Sequence, residues 1–202
     1  MKDLESSKYI QSCLCDEKGF IKAEFLISNE NGLEIFVDES SFNVLFEELN
    51  KFIKFYRLEM KISSREIFYK FFQNNDNLEY VFSNNKLFCD IGLRASKDEK
   101  LLTEEEFKLN ILLLGQFLFS HQDVNKYRPH DIGMNITHVS FLKGCFRGQE
   151  VIARTEYLSK KKKVITPIKY EDEVSINSKK IKTLKEISFE KSIFKLISFI
   201  PN

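Results

Sequence analysis

Residues 143–150 read Lys-Gly-Cys-Phe-Arg-Gly-Gln-Glu, and an amphipathic run, Val151-Ile152-Ala153-Arg154, follows them. Two glycines bracket a cysteine and an arginine, and glycine is used where a backbone bends sharply or approaches another group closely. Lys143, Arg147 and Arg154 surround Cys145 in sequence with positive charge, a setting that lowers a thiol pKa and makes the sulfur a nucleophile or ligand. The bland alternative is a small buried hydrophobe beside an ordinary turn. Glu150 carries two readings, a helix-dipole cap and a carboxylate that grips a donor-rich ligand edge. Arg154 likewise reads as a solvated surface residue or as a contact to an anion.

The octapeptide resembles the signature Lys-Gly-Cys-Tyr-x-Gly-Gln-Glu of the YgfZ family. Those proteins bind folate, are linked to iron–sulfur cluster assembly and tRNA modification, and are related to the glycine-cleavage T-protein, an aminomethyltransferase. Lys143, Gly144, Cys145, Gly148, Gln149 and Glu150 match position by position, Arg147 takes the variable place, and Phe146 stands where the family usually has Tyr. Arg128-Pro129-His130-Asp131 is similar to the family's Leu-Pro-His-Glu segment, and Cys15-Asp16-Glu17-Lys18-Gly19 resembles its Asp-x-x-Gly hairpin. Residues 139–141 look like the strand leading into the motif, and residues 151–155 like the helix that follows.

The resemblance implies a T-protein-like fold, with α+β lobes around a central pocket and a C-terminal β-barrel, and tetrahydrofolate as the bound cofactor. The pterin edge suits a carboxylate, Glu150 or Glu24, while the anionic glutamate tail suits Lys143 or Arg154. Phenylalanines, 20 in this chain, can supply stacking walls. True aminomethyltransferases carry an acidic pair after the hairpin glycine. Here the matching positions are Ala23 and Glu24, and the T-proteins lack the Gly-Cys of the motif. The implied role is therefore assistance in assembly or repair of iron–sulfur clusters in client enzymes, including tRNA-modifying ones, with Cys145 as the working thiol. The alternative is a folate-dependent aminomethyltransferase-like enzyme. One thiolate cannot hold a cluster alone, so an iron–sulfur client or carrier protein, or a second copy, is an expected partner. Relatives begin with a further strand and helix, and Met1 falls after them: either these elements are lost, in which case one pocket wall is expected to be open or supplied by a partner subunit, or the start lies within a longer reading frame.

With 202 residues, 43% hydrophobic and 30% charged, the chain has the composition of an ordinary globular protein large enough for a real core. No apolar run approaches the roughly 18 residues of a membrane span; the longest, residues 111–120, is interrupted by Gln116. No apolar signal segment opens the chain, so the expectation is a cytoplasmic protein with reduced thiols. Cys13 and Cys15 lie two apart on one strand face and are not expected to bridge each other. No Cys-x-x-Cys pair occurs, and His121, His130 and His138 lack metal-site spacing; His130 reads as a loop histidine with its hydrogen bonds satisfied. Between Lys143 and Lys163 seven cations face two carboxylates, whereas the whole chain carries +1. This basic segment predicts at most a weak tRNA or protein contact, or a solvated linker.

Antiparallel strands are predicted over 9–15, 20–27 and 33–37, with turns at 16–19 and at the Asn-Gly of 29–32. Ser40 or Ser41 then caps a helix whose core stripe is Phe42, Leu45, Phe46, Leu49, Phe52, Ile53 and Tyr56. Strands follow over 58–62, 66–72, 78–82 and 86–90. Thr103 with Glu106 forms a capping box, opening a helix that is apolar all round from Leu109 to Phe119 and therefore buried on two sides. Short strands over 164–170, 174–176, 180–182, 186–189 and 194–200 predict a small barrel. The fold class is α+β, with a folate-binding region over 1–159 and a C-terminal module over 160–202.

Overall fold

The computed structural model describes residues 9–29, 32–63, 67–73, 82–83, 87–92, 101–159, 162–171 and 180–201. Among these residues, three antiparallel sheets and four α-helices make a mixed α+β arrangement. Strands β1 (Ile10–Cys15), β2 (Ile21–Ser28) and β3 (Glu34–Val37) form a meander in that order. Helix α1 (Glu39–Tyr56) packs on β2. A second sheet contains β4 (Phe68–Gln73), β5 (Phe82–Ser83) and β6 (Leu87–Gly92), ordered β4-β6-β5. Next come α2 (Glu104–Leu113), the short α3 (Met134–Thr137) and α4 (Gln149–Leu158). The C-terminal strands are β7 (Val164–Lys169), β8 (Lys182–Phe189) and β9 (Ser192–Phe199), ordered β7-β9-β8.

Helix α2 is the hub. Its capping box forms as expected: the Thr103 hydroxyl accepts from Glu106 N–H, and the Glu106 carboxylate accepts from Thr103 N–H. Leu112 enters the main core with Cys15, Ile21, Ile132, Ile152, Leu184 and Leu196. Leu114, just past its end, joins Tyr9 and Leu26 in a second core, where Tyr69 and Phe71 of β4 pack, and both of these rings meet the edge of Phe107. The helix is thus buried on two sides. It stops at Leu113 rather than near 119, because Gly115 and Gln116 N–H turn back to the Leu112 and Ile111 carbonyls. Phe117 and Phe119 remain buried outside the helix.

Other expectations are corrected. Asp38, not Ser40 or Ser41, caps α1, since its carboxylate reaches Ser40 N–H at 2.9 Å. The aromatic stripe of α1 is core only in part: Leu45 is buried, whereas Phe52 and Tyr56 are 56% and 65% exposed. Residues 58–62 form no strand and are exposed, and among the described residues no strand pairs with them. Residues 139–141 are irregular, although Val139 and Phe141 pack on the main core. No closed barrel occurs among the described residues; β8 runs as one strand through the two short ones expected, and the sheet buries Leu184 and Leu196 against the rest of the molecule instead of closing on itself. The expected strand at 174–176, most of that at 78–82 and the centre of the 29–32 turn lie outside the described residues.

Leu196 is fully buried and shares its core with Ile21 and Ile152. Leu196→Ala is expected to cost about 2–5 kcal/mol. Urea unfolding followed by circular dichroism checks this, as a lowered midpoint in a single transition.

Candidate functional site

The site grows from the turn between β1 and β2. The Asp16 carboxylate accepts from Lys18 N–H at 2.9 Å and Phe20 N–H at 2.8 Å, and Gly19 N–H donates to the Asp16 carbonyl. This compact turn is the seat for the octapeptide. Gly148 has φ of 79°, and a Cβ there would stand 2.5 Å from the Asp16 carbonyl oxygen and 2.9 Å from Gly19 Cα. Gly19, also at φ 79°, would put a Cβ 3.1 Å from Ile152 Cγ1. Only two glycines permit this approach of backbone to backbone.

Charges reinforce the seat. Arg147 donates through Nε to Glu17 at 2.7 Å and through Nη1 to Glu48 of α1 at 2.8 Å. Glu48 also accepts from Lys22 at 2.8 Å. These partners, Lys22 foremost and then Arg147, hold the Glu48 carboxyl down at about 2. Arg128 Nε donates to the Lys18 carbonyl at 3.0 Å, and its guanidinium lies 4.6 Å from the Phe20 ring centre. Gln149 closes the loop locally by accepting from Phe146 N–H at 3.1 Å. Three motif positions, Arg147, Gly148 and Gln149, therefore build the seat.

The other motif residues are differently placed. Lys143, Gly144, Cys145 and Glu150 are exposed, as is Arg154 on α4. Cys145 is a free thiol. Of the three cations expected around it, Arg147 is committed to Glu17 and Glu48, and Lys143 Nζ lies 5.0 Å from the Phe146 ring centre. Among the described residues neither Glu150 nor Arg154 has an ion-pair partner. The basic segment is compensated in part, with Arg147 on Glu17 and Glu48, Lys162 on Glu156 and Lys163 on Asp131; Lys160 and Lys161 lie outside the described residues.

Glu24 occupies a second focus. It faces Cys13 across the β1–β2 ladder and accepts from His138 Nε2 at 2.9 Å. His138 is buried, and its Nδ1 lies 2.7 Å from the Thr137 hydroxyl, so that a hydroxyl donating to Nδ1 leaves the ring proton on Nε2 for Glu24. Gln11 Nε2 is 3.4 Å from His138 Nε2. Glu24 itself keeps 27% of its side-chain surface exposed. Both Glu24 and Lys143 act electrostatically on Cys13, which ties this focus to the start of the octapeptide. Glu24 thus stands at the Cys13 focus with His138, whereas Glu150 and Arg154 are exposed on α4.

His138, Gln11 and Glu48 were not anticipated. Glu24 and His138 are 114 positions apart, and Arg147 and Glu48 are 99 apart, so no local pattern links them. His130 is only half satisfied: Nε2 bonds Glu156 at 2.8 Å, but Nδ1 is buried without a partner among the described residues.

Gly148→Ala is expected to destabilise the protein by about 3 kcal/mol or more, from left-handed strain plus overlap with fixed backbone, measured as a lowered urea midpoint. Glu48 has a folded value of about 2 against an ordinary 4.5. Its contribution is therefore complete above pH 4.5 and is lost as the pH falls from 4.5 to about 2. The stability difference between the native protein and Glu48→Gln should shrink across that window, which denaturant titrations at stepped pH measure. Scanned against models of known protein families the chain finds no match, and compared with curated proteins it finds none either.

Proposed function

We propose that this chain is a YgfZ-type protein with a T-protein-like fold, which binds tetrahydrofolate and assists assembly or repair of iron–sulfur clusters in client enzymes. The observation that carries this reading is the packing of the two resembling segments on each other. The hairpin turn at residues 16–19 and the octapeptide at 143–150, far apart in sequence, meet backbone to backbone through Gly19 and Gly148. The octapeptide also carries an exposed ammonium, Lys143, over the ring of Phe146, and β2 carries a half-exposed carboxylate, Glu24.

These groups suit a reduced folate. Glu24 presents a carboxylate to the donor-rich pterin edge, and His138 orients it from a buried position. Among the described residues only one of its oxygens is engaged. Phe146 offers an apolar face, and Lys143, whose ammonium lies 5.0 Å from that ring's centre, offers a cation to the glutamate tail. Bound there, tetrahydrofolate would supply a one-carbon carrier. Cys145, free and exposed two residues from Lys143, is the thiol that a client or carrier protein reaches. The cytoplasm, where thiols stay reduced, is the compartment this role requires. The compensated charges at Lys162, Lys163 and Arg147 weigh against the tRNA-binding alternative.

Anaerobic calorimetric titration of tetrahydrofolate is the test. Saturable binding is expected, weakened roughly tenfold or more by Glu24→Gln through loss of a charge-assisted contact. Lys143→Gln should weaken it too, while Cys145→Ala should bind as the native chain does. Absence of saturable binding by the folded native protein at millimolar folate would sink the folate reading. In cells lacking the chromosomal copy, Cys145→Ala is expected to fold yet fail to support iron–sulfur enzyme activity. Full support by that variant would remove the thiol from the mechanism.

A further inference from the structure

Cys13 and Cys15 have no part in the folate reading, and they were expected to remain unbridged. They are nevertheless in contact: Sγ to Sγ is 3.9 Å, with one thiol hydrogen-bonded to the other sulfur. The ladder between β1 and β2 changes register between Leu14, opposite Ala23, and Cys15, opposite Ile21, so the regular pairing is interrupted between the two cysteines. Alternate strand residues are about 6.6 Å apart at Cα, inside the range of about 4.4–6.8 Å that a disulfide spans. Only the sulfurs need to close, from 3.9 Å to about 2.05 Å.

We propose that Cys13 and Cys15 form a redox site, a dithiol that closes to an intrastrand disulfide with a small peroxide as oxidant. Lys143 lies close enough to act on both sulfurs. Either thiol can donate in that contact; the shared proton pushes the Cys13 thiol up and draws the Cys15 thiol down, and Cys15 is taken as the attacking sulfur. Cys15 as thiolate attacks one peroxide oxygen, the O–O bond breaks, and hydroxide leaves, giving a sulfenic acid. The Cys13 sulfur then attacks the Cys15 sulfur, and the S–O bond breaks. The departing hydroxide takes the Cys13 proton to leave as water, and the first hydroxide takes the proton that Cys15 had released. The two thiols are oxidised by two electrons, and one peroxide is reduced to two waters. Cys13 is half-buried and Cys15 nearly fully buried, which favours a peroxide over a bulky disulfide as the oxidant.

The test uses the full reduced chain treated with hydrogen peroxide, unfolded in excess alkylating agent and digested with trypsin. Cleavage after Lys8 and Lys18 leaves both cysteines on one peptide, residues 9–18. That peptide is expected to lose both alkyl groups and become two hydrogens lighter, and a thiol reductant should restore both sites. Lys143→Gln should slow this loss several-fold. Full alkylation of the peptide in protein whose Cys145 has been oxidised would overturn the proposal, as would a bridge from Cys13 or Cys15 to Cys89 or Cys145. The native chain alone decides the outcome, so it does not depend on any variant folding.

Discussion

Two stretches of backbone that touch with no side chain between them set the position of everything else near the site. At Gly148 a single added carbon would overlap the Asp16 carbonyl, and at Gly19 it would press on Ile152. This contact fixes the start of α4, and α4 in turn buries Ile152 in the main core beside Ile21, just past the turn. The hairpin, the loop and the helix are therefore one mechanical unit. A side chain at the interface would separate them by more than a close-packed core tolerates.

Electrostatics closes the unit from outside. Arg147 bridges the turn and α1 through Glu17 and Glu48, and Lys22 adds a second cation to Glu48. Because Glu48 lies mostly out of water, its charge is retained by those partners rather than by solvation. Exposed pairs such as Lys169–Glu171 carry no comparable constraint. The same logic governs Glu24 and His138, where a buried imidazole orients a half-exposed carboxylate. A buried donor holding an exposed acceptor is the arrangement that pre-orients a group for an external ligand.

The octapeptide thus divides into residues that build and residues that remain available. Arg147, Gly148 and Gln149 are consumed by the fold. Lys143, Cys145 and Glu150 face solvent. A sulfur that is exposed and a dithiol that is largely covered also divide the thiol chemistry between two places, one open to a macromolecule and one open to small oxidants.

Local chemistry made several features legible in the residues alone. The Thr103–Glu106 capping box, the β1–β2 hairpin and the helix after Gly148 each depend on neighbours within a few positions, and each forms. Of the two glycines that bracket Cys145 and Arg147, Gly148 makes the close approach expected, whereas Gly144 has open space around it, and that Gly148 would meet Gly19 was not readable. Burial was the property least legible. The α1 stripe is apolar at helical spacing, yet the element facing it is a narrow sheet, so its last turns are left in water. Likewise the C-terminal strands alternate as barrel strands do, and whether such a sheet closes or packs depends on the surface offered to it, here α2 and the main core. Residue types determined which elements form and which groups can do chemistry. Tertiary structure alone decided that Glu24 meets His138 and that Arg147 is spent on Glu48, because those meetings are set by packing over distance and not by spacing along the chain.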